Sequence, residues 1–75
     1  MKEKILIIGR PGTRKTDLGN AISKLMNYNL VGGVPSAWWL SLNAKSRTVY
    51  VSNSITEAEA SLNLKDFTVI AVTNL

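Results

Sequence analysis

Residues Ile7 to Thr16 read IIGRPGTRKT, an apolar run that ends in glycine and is followed, six residues later, by a lysine and a threonine. The spacing is that of a phosphate-binding loop, GxxxxGK[ST], with Gly9 opening it and Lys15-Thr16 closing it. Such a loop turns successive backbone N–H groups, and the positive end of the next helix, toward the oxygens of a triphosphate. The lysine reaches the terminal phosphates and the hydroxyl sits on the magnesium ion. Gly9, Gly12, Lys15 and Thr16 fit the pattern, and Arg14 departs from it where a glycine is demanded because the backbone there approaches the phosphates closely. Two roles are open to Arg14: its guanidinium folds back and neutralises the loop's own anion site, or it reaches out and grips an external phosphate through two hydrogen bonds. If nucleotide binding is retained, the ligand is ATP or GTP with magnesium. The binding residues are then Gly9, Gly12, Thr13, Arg14, Lys15 and Thr16, with Thr16 on the metal.

The flanking elements are those the loop needs. Lys4 to Ile8 is a continuous run of Ile and Leu ending at Gly9, the pattern of a strand buried on both faces. Leu18, Ala21, Ile22, Leu25 and Met26 then recur at helical spacing, predicting a helix that starts near Arg14 and fades at Asn27-Tyr28-Asn29. Gly32-Gly33 and Pro35 break regular structure, and Ser36 is placed to cap a short helix through Ala37, Trp38, Trp39 and Leu40. Arg47 to Ser52 (RTVYVS) reads as a second strand. Thr56 with Glu59 forms a capping box for a helix within Ile55 to Leu62, interrupted at Asn63, and Phe67 to Val72 (FTVIAV) is a third strand. Strands alternating with helices predict one α/β domain over residues 1–75, built on a three-stranded parallel sheet.

GRPGTRKT resembles the GPPGTGKT loop of the AAA+ ATPases, with Arg10 and Arg14 as the departures, and TDLGNAISKLMNYNLV resembles the helix and exit that follow it in that family. TVYVSNS, Thr48 to Ser54, lies where a Walker B strand would come, with Ser52-Asn53 in place of Asp-Glu. VIAVTN, Val69 to Asn74, is similar to the sensor-1 strand, which would put Asn74 beside the terminal phosphate. The resemblance implies the spatial order one, three, two, with the sensor strand between the other two. It also implies a chain stripped of what hydrolysis needs: no acid completes the magnesium site and none polarises the attacking water. Glu3, Asp17, Glu57, Glu59 and Asp66 do not follow an apolar strand at the right place. The expected protein is a small non-hydrolysing AAA+-like P-loop protein that acts by binding a protein partner. An inhibitor or mimic of an AAA+ machine, of the kind a phage or mobile element encodes, fits this description.

Composition narrows the chemistry further. The 75 residues contain no cysteine and no histidine, which excludes disulfides, thiolate or imidazole metal sites, and Cys or His nucleophiles and bases. The formal charge of +4 favours approach to phosphates, nucleic acid or an acidic protein surface. No signal peptide or membrane-length apolar run is visible, so a cytoplasmic protein without membrane contact is expected. Two adjacent tryptophans, Trp38 and Trp39, with Leu40 form the largest apolar concentration outside the strands; they suit a partner interface, or a core in which one indole is half covered. A three-stranded sheet with two unpaired edges predicts a protein partner or a homo-oligomer. A further alternative is a basic nucleic-acid-binding module that uses Arg10, Arg14 and Lys15, with Lys45 and Arg47 beyond, and the Trp38-Trp39 pair for base stacking.

Overall fold

The computed structural model describes residues 3–12 and 14–72, and the chain runs β1 (Lys4–Gly9), α1 (Lys15–Met26), β2 (Asn29–Val31), α2 (Ala37–Asn43), β3 (Thr48–Ser52), α3 (Glu57–Asn63), β4 (Phe67–Val72). The four strands form one parallel sheet in the order β2-β3-β1-β4. The expected class, α/β with a parallel sheet, is therefore what forms. The strand count and order are not those expected: the sheet has four strands rather than three, and β1 rather than β4 lies between its neighbours.

Burial along the strands follows that order. In β1, Ile5, Leu6 and Ile7 are fully buried and Ile8 nearly so, and β3 is buried along its whole length, Thr48 and Ser52 included. These two strands take the interior of the sheet. β4 carries Thr68 and Ala71, leaves Val69 exposed, and occupies an edge. The register sets Ile5 between Val49 and Thr68, and Ile8 between Ser52 and Ala71. The additional strand, β2, is only three residues long and pairs with β3 through Asn29↔Thr48 to Val31↔Tyr50.

Helices cover both faces. On one, Leu6, Ile8, Tyr50 and Phe67 pack with Val34, Ala37 and Leu40 and with Ala60 and Leu64, so α2 and α3 lie here. On the other, Ile5, Ile7, Val49 and Val51 meet Leu18 and Ile22 of α1. The buried line of α1 passes through Lys15 and Gly19, and Ala21 and Leu25, expected in its apolar stripe, face solvent, with Leu25 85% exposed. Gly19 is the cause: a Cβ there would lie 3.0 Å from Leu30 Cδ1 and 3.1 Å from Val51 Cγ2, so the helix backbone rests close to β2 and β3 along this line.

Two of the helix starts form as the sequence predicts. Ser36 Oγ accepts from Trp39 N at 3.1 Å and starts α2. Thr56 Oγ1 accepts from Glu59 N at 3.2 Å while Glu59 Oε1 accepts from Thr56 N at 3.3 Å, the reciprocal capping box of α3. Among the described residues no helix is long and apolar enough to cross a membrane.

Candidate functional site

In a parallel sheet all strands end on the same side, and here the ends of β1, β2 and β3 meet around the loop that leaves Gly9. The helix after β1 packs on one face and the helix after β3, its neighbour, on the other. Connections that part in this way open a crevice beyond the strand ends, the usual place for ligands in open α/β sheets. A cleft of about 440 Å³ lies there. Its walls are Pro11, Gly12, Arg14, Lys15, Thr16 and Asp17 from the loop and first turn of α1, Gly32 and Gly33 beyond β2, and Val51 and Asn53 at the end of β3. A second cleft of about 450 Å³ opens on the other side of the loop between Gly9, Arg10, Thr56 and Glu57, and shares Pro11 and Asn53 with the first.

The loop backbone adopts the conformation that its glycine pattern serves. Gly12 has φ 82°, and Arg14, at the position where the pattern requires glycine, has φ 60° and ψ 29°. A left-handed residue with a side chain costs about 1–2 kcal/mol relative to a right-handed one, so the arginine has been accommodated without giving up the glycine geometry. Arg14 N-caps α1 without a side-chain bond, and its carbonyl accepts from Leu18 N.

Of the loop's three cations, Lys15 and Arg14 divide between inside and outside. Lys15 is 4% exposed, and its Nζ donates to the carbonyl oxygen of Arg10, bridging the two ends of the loop. Arg14 is exposed and forms no ion pair or side-chain hydrogen bond among the described residues. It is thus Lys15, not Arg14, that folds back onto the loop. Thr16 and Asp17 are exposed on the first turn of α1, where the carboxylate of Asp17 is also favoured by the helix dipole.

Where the resemblance placed catalytic acids, the structure has other uses. Ser52 is 1% exposed; its Oγ donates to the Val34 carbonyl at 2.8 Å and accepts from Ser54 N at 3.1 Å. With the Val34 N to Val51 O bond, this fastens the segment after Gly33 to the end of β3. Asn53 is exposed between the two clefts. Among the described residues no group of three or more acids is arranged to hold a metal ion.

The remaining site residues separate. Thr13 and Asn74 lie outside the described residues. Trp38 is 72% exposed, Trp39 packs partly buried against the core, and Leu40, expected at a partner surface, is fully buried in the core. Arg10 and Arg14 are exposed at the loop, but Lys45 and Arg47 lie at the opposite end of the sheet, ahead of Thr48, so the basic residues do not form one tract. The sequence reading missed Gly32 and Gly33 as a cleft wall and took them as breakers only. The available signal was the pair of adjacent glycines itself, a stretch of backbone without side chains. No family model, curated protein or solved structure matches the chain.

Proposed function

We propose that this protein is a non-hydrolysing P-loop domain that binds the phosphates of ATP or GTP in the cleft beside α1. The observation that carries this reading is the loop itself: an arginine held at φ 60° in the glycine position, at the N-terminus of α1, facing a 440 Å³ cleft at the ends of parallel strands. Backbone strain of this kind persists at ligand sites because the surroundings hold it there. Hydrolysis is not part of the reading, because Ser52 and Asn53 supply neither a carboxylate for magnesium nor a base for water. The likeness to AAA+ ATPases supports the loop and helix; the strand order, with β1 central, departs from the arrangement that likeness implies.

The test is thermal or denaturant stability during titration with magnesium-ATP and magnesium-GTP. At 100 times the dissociation constant, binding stabilises by about 2.7 kcal/mol, a plain shift for a 75-residue chain. No shift at millimolar concentrations of either nucleotide sinks the reading.

A second reading, action through a protein partner, is favoured by one observation. Trp38 and Leu42, four residues apart on α2, are 72% and 65% exposed, and α2 carries no charged residue. An exposed Trp is a common anchor of protein interfaces. Stacking of nucleic acid on a Trp pair has less support, since Trp39 belongs to the core.

A further inference from the structure

The loop pattern assigns the phosphate to a lysine, yet this loop carries two further cations that the pattern lacks, Arg10 and Arg14. Lys15 is almost wholly buried, with its ammonium hydrogen-bonded to the Arg10 carbonyl. One of its three donors is thereby committed to the loop's own backbone, and Lys15 reaches the cleft only as a nearly buried side chain. Arg14 lines the same cleft, is exposed, and has no ion pair or side-chain hydrogen bond among the described residues. Its planar guanidinium offers two parallel donors that match two oxygens of one phosphoryl group, which a lysine cannot do. The opposite wall leaves space for such a ligand: Gly32 and Gly33 line it, and a Cβ at either position would meet nothing within 4 Å.

We propose that Arg14, rather than Lys15, is the side chain that grips the phosphate, and that Lys15 is a strut holding the loop closed. This assignment rests on the nucleotide-binding reading above. It makes the residue that breaks the motif the principal determinant of affinity. Two-point contact requires a phosphoryl group with at least two free oxygens. Inorganic triphosphate therefore competes with ATP for the cleft, and adenosine does not.

Calorimetric titration of the full chain with magnesium-ATP decides the matter, using wild type, Arg14→Gln, Arg14→Lys, Arg14→Gly and Lys15→Met. The expected result is a loss of about tenfold or more in affinity for Arg14→Gln and a smaller loss for Arg14→Lys. Lys15→Met loses less affinity than Arg14→Gln and melts at a lower temperature than wild type. If Lys15→Met abolishes binding and Arg14→Gln binds like wild type, the assignment is overturned and the loop works as its pattern states. Tighter binding by Arg14→Gly also overturns it, by identifying the arginine as a block. Should Lys15→Met fail to fold, unchanged affinity in Arg14→Gln is sufficient to reject the proposal. Absence of binding in wild type removes the parent reading and this one together, whereas wild-type binding unaffected at Arg14 removes only this one.

Discussion

At the scale of single residues, the site is defined by what Arg14 and Ser52 do. Arg14 holds a left-handed backbone conformation, and Ser52 ends a buried strand with a hydroxyl. A carboxylate would not fit at the second position. Ser52 Oγ is a buried donor to the Val34 carbonyl, and an aspartate there would set a carboxylate against that carbonyl with no donor of its own. Ser52→Asp is expected to lower stability by about 3 kcal/mol or more, measured by urea unfolding, and to produce no ATPase activity. Ser52→Ala, which leaves the carbonyl short of one partner, is expected to cost about 1–3 kcal/mol. A Ser52→Asp protein as stable as wild type would show that this pocket tolerates charge and that the hydroxyl is not a fastening. The glycine turn between β1 and α1, the Ser36 cap and the Thr56–Glu59 box were legible in the sequence because each is a local arrangement whose partners lie within a few residues.

At the scale of elements, legibility follows the range of the forces involved. β1, α1, β3, α3 and β4 carry long periodic runs or caps, and their limits match the expected ones to within a residue or two. β2 was not legible: Asn29-Leu30-Val31 contains one polar and two apolar residues, and it is a strand only because β3 offers it an edge. The orientation of α1 was also hidden, since hydrophobic spacing includes Leu25 but cannot register that a glycine makes the closest approach. The packing at Gly19 is directly testable. Alanine there adds helix propensity and a tight contact against side-chain ends that can yield, so the two effects oppose each other. Gly19→Leu is different, because its bulk must part α1 from β2 and β3; a loss of about 1–3 kcal/mol is expected, read from a denaturant melt. An unchanged midpoint would mean that α1 rests on the sheet less closely than the geometry states.

At the scale of the whole molecule, charge and apolar surface are distributed unevenly. The exposed arginines of the loop stand at one end of the sheet, and Lys45 and Arg47 at the other. Trp38 and Leu42 lie exposed on a helix whose other side, through Ala37 and Leu40, builds the core. This division predicts opposite outcomes for neighbouring substitutions. The double variant Trp38→Ser with Leu42→Ser is expected to keep its melting temperature within a few degrees. Leu40→Ala is expected to lose about 2–5 kcal/mol. Comparable destabilisation by the two would place Trp38 in the core and remove the support for a partner surface. The strand order was not legible at this scale: both the implied and the observed arrangements satisfy an alternating pattern of strands and helices, and composition does not separate them, since FTVIAV is at least as apolar as TVYVS.

The central position of β1 also affects how the protein is made. The strand synthesised first is the one that every other layer needs, yet Ile5 cannot meet Val49 until the chain between them has left the ribosome, roughly 2–9 s later at ordinary rates of translation. During that interval the most apolar segment of the chain has a helix to follow it but no strand beside it. Pairing of β1 on either side therefore waits for the second half of the sequence.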